Sequence, residues 1–367
     1  MSILDVLSDS KLLRSMLRWE PADELRLFLA ERDLFFTEAE KRFAEEQPPH
    51  GTLWDYKRAF YRHRVTYSEY MYSYEYWKLS EQERDKFIST SEMQCIYRKA
   101  GNPEVRRVFK DKGLFLKTFH PFVHRKWAMV AEMSYEDFCR MLEESDCMIK
   151  PSDGTHGQGI RKIKCQEVAD LRALYEECAA NRCIVEECVQ ACAETAAFHP
   201  QSLNTIRVVT ISGSGKCAVF GALFRMGAHG SFIDNTHAGG IYASINVQTG
   251  VIEIDAIDAQ NWHYGAHPDT GKTIRGFEIP HWKEIVSVCE QASQQIPDIR
   301  FAGWDLCVLP NGDIELIEGN HAPDFDGGMQ APLKVGVKYR FQETTKRMLG
   351  FDPLPLISIF AKTKKQG

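Results

Sequence analysis

The chain has 367 residues, 44% of them hydrophobic and 26% charged, and a formal net charge of −6. Such a length holds two or three packed units with cores of their own, and the acidic balance excludes a protein that grips nucleic acid through a basic surface. No apolar run reaches the roughly 18 residues that a bilayer span needs, so a membrane-spanning role is excluded as well.

Residues 1–98 read as a helical N-terminal region. Leu25, Phe28, Leu29 and Phe36 recur at helical spacing in a segment rich in Glu, Arg and Ala, with Arg32 interrupting the stripe. Gln47-Pro48-Pro49-His50-Gly51 ends that helix. In the next stretch Tyr67, Tyr70, Tyr74 and Trp77 share a stripe. It suits a platform for a sugar or a lipid-linked acceptor, but apolar periodicity more commonly means a packing face, and that reading is preferred. From about residue 99 the texture becomes mixed α/β. Ser134-x-x-Asp137 predicts a helix start, with Phe138, Met141 and Leu142 facing inward. Val168, Leu171, Leu174, Tyr175 and Cys178 predict a second helix, and 184–189 predicts a strand. Residues 206–211 and 217–224 predict a hairpin across Ser212-Gly213-Ser214-Gly215. Trp282, Ile285, Val286, Cys289 and Ala292 predict a helix ahead of a final hairpin. Residues 351–367 read as a tail with a frayed basic end. Eleven cysteines without Cys-x-x-Cys spacing point to reduced thiols, hence a cytoplasmic setting without structural zinc or disulfides.

Two stretches carry chemistry. In the first, Asp305 lies on one apolar segment and Glu318 and Asn320 on another, joined by Pro310-Asn311-Gly312-Asp313. The Asn-Gly pair predicts a hairpin that brings Asp305 beside Glu318. Asn320, two residues on, shares the face of Glu318. Two carboxylates and an amide oxygen suit Mg²⁺, which water and substrate phosphates would complete. In the second, an apolar run ends at Lys150 and is followed by Ser152-Asp153-Gly154-Thr155-His156-Gly157-Gln158-Gly159. Such a loop lets backbone N–H groups approach a polyphosphate, with Lys150 as a point charge. Its spacing matches neither a Walker loop nor a Rossmann fingerprint. Asp111-Lys112 offers another phosphate-directed cation. Glu186-Glu187-Cys188-Val189 could serve adenine through its backbone and ribose through a carboxylate. Asn204-x-x-Arg207 and Arg225 place guanidinium forks on strands, where they suit a phosphoryl group or a carboxylate.

In this order these motifs, with Asn235-x-His237-x-Gly239-Gly240, resemble the ATP-grasp superfamily over roughly residues 100–345. Phe198-His199-Pro200, His267-Pro268-Asp269-Thr270-Gly271, Gly276-Phe277-x-Ile279-Pro280-x-Trp282 and Gly303-Trp304-Asp305 resemble its sugar-transfer-associated branch, which includes proteins similar to teichuronopeptide biosynthesis enzymes. The resemblance implies an α+β fold with an N-terminal helical extension and two lobes gripping ATP. Residues 99–185 would form the small lobe with the glycine-rich loop, and 186–350 the large lobe with the metal site. It further implies that Lys112 and Lys150 contact ATP phosphates under a loop containing Ser152, Gly154, Gly157 and Gly159. Glu186, Glu187 and Val189 would hold the nucleoside, and Asp305, Glu318 and Asn320 would hold Mg²⁺. Arg207 and Arg225 would face the phosphoryl group or the acceptor carboxylate. His237 would serve as a base or shape its loop, with His321 as second choice for the base. One departure stands out: where many ATP-grasp ligases continue with Pro-Gly, this chain has His321-Ala322-Pro323-Asp324-Phe325-Asp326. Asp324 and Asp326 suggest, by charge alone, a cationic nucleophile such as an ammonium.

The superfamily's usual chemistry is ligation. A carboxylate attacks the γ-phosphoryl of ATP, and an amine displaces phosphate from the acyl phosphate. The expected activity is therefore an ATP-dependent carboxylate–amine ligase acting on free, sugar-linked or peptide-linked substrates, in polysaccharide, peptide or specialised-metabolite synthesis. The alternatives are a phosphotransferase of the same fold and a nucleotide-binding scaffold with little turnover.

Overall fold

The computed structural model describes residues 21–153, 159–230, 234, 239–323 and 330–358. The described residues within 1–100, 334–346 and 350–367 form one compact unit. Those within 101–333 and 347–349 form another. Among the described residues no helix is long and apolar enough to cross a membrane.

The first unit is helical. A long helix spans Pro21–Glu46 and a second Leu53–His63. The predicted break falls where expected: Gln47 has φ 42° and Gly51 φ 75°. The tyrosine stripe does not ride on one regular helix. Arg64 closes the second helix in the left-handed region, and a π-helical turn follows over Glu69–Ser73. Tyr67, Tyr70 and Tyr74 are nonetheless buried in this unit's own core beside Tyr56 and Phe87. They therefore form a packing face and offer no open platform. Three Ser/Thr-x-x-Glu boxes punctuate the unit. Thr66 and Glu69 exchange backbone and side-chain bonds, as do Ser80 and Glu83 and Ser89 and Glu92. Each satisfies two N–H groups at a helical start that would otherwise have no acceptor.

The second unit is α+β and holds two antiparallel sheets. The smaller contains β1 (Trp127–Met129), β2 (Cys147–Pro151), β3 (Arg161–Ile163) and β4 (Cys183–Glu187), in the order β1-β4-β2-β3. Two helices accompany it, Tyr135–Glu144 and Leu171–Ala180. Ser134 caps the first as predicted, its hydroxyl accepting from Asp137 N at 3.0 Å. Phe138, Met141 and Leu142 pack in one cluster with Leu174, Cys178 and Val185, each such side chain contributing about 2 kcal/mol of transfer free energy. The predicted strand 184–189 is displaced: β4 ends at Glu187, leaving Cys188 and Val189 beyond it.

The larger sheet runs β11-β10-β5-β6-β7-β8-β9. Its members are β5 (Ile206–Gly213), β6 (Lys216–Met226), β7 (Ile241–Ser244), β8 (Ala256–Ile257), β9 (His263–Tyr264), β10 (Phe301–Val308) and β11 (Ile314–Asn320). The β5–β6 hairpin turns through Ser214 and Gly215, both at positive φ, as a right-handed ribbon twist favours. The predicted helix over Trp282–Ala292 is present. β10 is buried along its whole length, and Trp304 meets Phe109 and Phe119 at centroid distances of 5.4 and 5.3 Å.

Candidate functional site

Strand register lines up three charged residues. Asp305 on β10 stands opposite Arg207 on β5 and opposite Glu318 on β11. Directly opposed residues share a face, so a cation and two acids form a row across three adjacent strands. A bulge makes this possible. Leu306 pairs with Leu316 and Asp305 with Glu318, leaving Ile317 as a surplus residue. Without the surplus, alternation would turn Glu318 to the opposite face.

Asp305 is 3% exposed. Arg207 grips it with two bonds, Nε to Oδ1 and NH2 to Oδ2, both 2.6 Å. Arg225 adds NH1 to Oδ2 at 3.1 Å. Burial alone would raise the Asp305 pKa, but the two guanidiniums outweigh it and hold the carboxyl down at about 2. Glu318 differs. Its side chain meets solvent, and desolvation by the protein packed around it, then repulsion from the Asp305 carboxylate, push its pKa up. Asn320 shares the strand face, and its Oδ1 accepts from Ala322 N at 2.9 Å.

The cations on the other side come from β2 and from the helix Lys112–Thr118. Lys150 forms an ion pair with Glu186 of β4. Lys112 begins its helix under an Asp111 cap, in which Oδ1 accepts from Leu114 N at 2.9 Å. Its own N–H donates to Ser152 O at 2.9 Å. Burial lowers the Lys112 pKa, while Glu318, Asp153 and Glu186 raise it and Lys150 lowers it. The lysines and the acid row therefore lie within electrostatic reach of one another.

Glu186 is 3% exposed and caught between Lys150 and Arg125, whose Nε donates to Oε2 at 2.9 Å. Desolvation opposes its charge, but these cations prevail and lower its pKa to about 2. Each of its carboxylate oxygens is thus engaged by a protein cation. Glu187 accepts from Lys126 N at 3.3 Å. The Glu187 and Cys188 N–H groups go to Lys126 O and Asp146 O. Val189 lies past the strand end and is half-buried. Ser152 is buried, and Gly159 has φ +74°. Gly154, Gly157, His237, Asp324 and Asp326 lie outside the described residues. His321 is half-buried; burial first, then Arg106 and Lys110, lower its pKa to about 4, leaving a neutral imidazole at neutral pH.

The motifs Phe198-His199-Pro200 and 267–271 come together as a brace for β5. His199 Nδ1 meets Ser202 Oγ at 3.2 Å, and His199 Nε2 lies 3.4 Å from Asp269. The Ser202 hydroxyl donates to Asn204 Oδ1 at 2.7 Å. That commitment removes any resemblance to a hydrolytic triad, because the hydroxyl proton is held by the amide and not by the imidazole. Asn204, fully buried at φ 53°, also donates to Thr195 O and His199 O. It anchors the chain three residues before Arg207.

Two residues escaped the sequence reading. Arg125 contacts Glu186, Glu315 and the carbonyls of Leu316 and Ile317; no periodicity marks it. Asp234 accepts from Thr205 N and Oγ1 at 2.7 and 2.6 Å and lies 3.6 Å from Arg225. Steric packing governs the residue between Glu318 and Asn320. A Cβ at Gly319 would lie 2.5 Å from Phe115 Cε2 and 2.8 Å from Phe109 Cε1.

The donor set fits a hard divalent cation: two opposed carboxyl groups and an amide oxygen with a second lone pair. No group of three or more His, Cys, Asp or Glu side chains forms a cation site among the described residues. The pair would therefore depend on the amide, water and phosphate oxygens for its remaining ligands.

Among solved structures the chain is similar to the ATP-grasp ligase PsnB complexed with a phosphomimetic variant of minimal precursor, Mg and ADP. Identity is 16% and the TM-score 0.40, over 64% of this chain and 57% of that one. It is similar to N5-carboxyaminoimidazole synthetase from Staphylococcus aureus complexed with ADP, at 11% identity and TM-score 0.42, over 69% and 57%. It is also similar to the biotin carboxylase domain of the Hydrogenobacter thermophilus 2-oxoglutarate carboxylase, at 12% identity and TM-score 0.39, over 69% and 45%. The chain spans about half of the length of these structures. No curated protein matches the sequence. The model of the family described as sugar-transfer associated ATP-grasp matches residues 96–346, a span that contains both sheets and every residue of the site. The chain belongs to the sugar-transfer associated ATP-grasp family.

Proposed function

We propose that the protein is an ATP-dependent carboxylate–amine ligase, with the four-stranded and seven-stranded sheets as its two nucleotide-gripping lobes. The observation that carries this reading is the row Arg207–Asp305–Glu318, with Lys112 and Lys150 in electrostatic reach of Glu318. Phosphoryl transfer asks chiefly for positioning and for neutralisation of charge, and this set supplies both. Lys112 and Lys150 bind and orient the polyphosphate. Asp305, Glu318 and Asn320 hold Mg²⁺, which when bound neutralises charge on the phosphate oxygens. Arg207 keeps Asp305 ionised and aimed. Arg225, held to Asp305 by one bond, receives the acceptor carboxylate. The carboxylate oxygen bonds to the γ-phosphorus as the bond to the ADP oxygen breaks. The amine then attacks the acyl carbon, phosphate leaves, and the amine proton passes to solvent or a nearby base. The family's association with sugar transfer favours sugar-linked or peptide-linked substrates in polysaccharide or peptide synthesis.

The test is a panel of uronic acids and amino acids assayed for products. ADP and phosphate in equal amounts with a new amide support the reading, as does a hydroxamate when hydroxylamine replaces the amine. AMP and pyrophosphate overturn it. A phosphorylated product without amide assigns the phosphotransferase alternative, and nucleotide binding without turnover assigns the scaffold.

A further inference from the structure

Arg125 is a buried arginine outside every motif of the site. It precedes β1, and its guanidinium reaches both sheets of its unit. Towards the small sheet, Nε donates to Glu186 Oε2 at 2.9 Å. Towards the large sheet, NH1 pairs with Glu315 and donates to Leu316 O at 2.8 Å, while NH2 donates to Ile317 O at 3.0 Å. The neighbouring His124 N also donates to Glu315, at 2.7 Å. Glu315 has no exposed surface and Arg125 has 7%.

The two carbonyls are the informative contacts. Leu316 and Ile317 flank the point where β11 gains its surplus residue, and Glu318 follows at once. A bulge leaves backbone groups outside the regular ladder, and buried carbonyls need donors. One planar fork supplies donors to both, which a flexible ammonium at that place would not. The same fork is tied to the carboxylate that pairs with Lys150. We infer that Arg125 is a positioning residue: it holds the Ile317 bulge so that Glu318 faces Asp305, and it sets this metal-binding pair in register with the Lys150–Glu186 pair. The inference rests on the nucleotide and Mg²⁺ assignment proposed above.

The experiment measures binding of a non-hydrolysable ATP analogue to the full chain by calorimetry, with Mg²⁺ and with EDTA. The readout is the ratio of the two affinities, from which effects confined to the Lys150 side cancel. In the wild type Mg²⁺ strengthens binding. In Arg125→Lys that gain falls by about tenfold or more, the usual scale for losing an outer support of a metal ligand. In Glu186→Gln, which leaves the grip on Leu316 and Ile317, affinity in EDTA falls but the Mg²⁺ gain persists. A role in stability alone would lower the melting temperature of both variants and leave the ratio untouched. Should Arg125→Lys not fold, Arg125→Gln combined with Glu315→Gln removes that charge pair as a unit, and the same loss of the ratio is expected. An undiminished gain in a folded Arg125 variant overturns the inference and leaves the ligase reading standing. A wild type without any Mg²⁺ gain overturns both.

Discussion

Glu69 in the N-terminal unit and Glu186 in the ATP-grasp unit are 2–3% exposed, yet their chemistry is opposite. Glu69 accepts from the backbone N–H groups of Thr66 and Thr90, both at 2.7 Å. These dipoles lower its pKa but do not overcome burial, which pushes it up to about 7. Glu186 faces the same desolvation and is brought down to about 2 by Arg125 and Lys150. The difference lies in the partner. At Glu69 two backbone amides do not offset the desolvation, whereas at Glu186 two full opposite charges do. The first arrangement serves architecture. The second fixes two cations, Arg125 and Lys150, on one carboxylate.

A third acid belongs to neither type. Glu318 is opposed by a like charge, so Glu318→Gln should relieve repulsion and leave the melting temperature equal or higher. Turnover should nonetheless fall by about 10²–10³-fold, the scale of losing an electrostatic contact made in the transition state. Near-normal turnover would remove Glu318 from the reaction.

Next in size, Glu186→Gln should destabilise the fold by about 3–5 kcal/mol, because Arg125 and Lys150 keep their charges in a buried place. Denaturant unfolding measures this. A loss no larger than that of an average surface change would mean that the cations are solvated in the folded state.

The smallest effect is a slope with pH. The folded pKa of Glu69 lies above the ordinary 4.5, so its contribution is fully present below that value and is lost as pH rises through about 7. His63, 1% exposed, has its pKa lowered from 6.5 to about 4, by burial first and then by Lys338. It is neutral in the fold, and its contribution is lost as pH falls from 6.5 towards 4. The two oppose each other within one unit. Glu69→Gln should therefore leave a stability that rises with pH by about 2 kcal/mol between about pH 5 and pH 7.5, and His63→Gln one that falls by a similar amount. Parallel curves for both variants and the wild type would show that neither group titrates as described.

Much of the second unit was legible. Asn311-Gly312 marked the hairpin, Ser134 the helix start, and the Ser212–Gly215 run a turn. The opposition of Asp305 and Glu318 was expected from the hairpin, but simple alternation from the turn pairs Asp305 with Ile317. The bulge that corrects this carries no residue signature, since Leu316-Ile317 reads like any apolar strand. Arg125 was invisible for another reason: its partners lie 61 and 190 positions away, and only folding joins them. In the N-terminal unit the stripe of Tyr67, Tyr70 and Tyr74 was read correctly as a packing face. The single regular helix expected beneath it was not found, because the left-handed Arg64 and the Thr66–Glu69 box interrupt it. Those Ser/Thr-x-x-Glu boxes were available as sequence patterns and would have marked the interruptions.

The helix that begins at Lys112 also carries Phe115, whose ring lies where a side chain at Gly319 would stand. The same seven-residue helix thus carries the lysine and the ring that packs against the strand holding both Glu318 and Asn320. Lys112 and the acid-bearing strand are thus joined by direct packing as well as by charge.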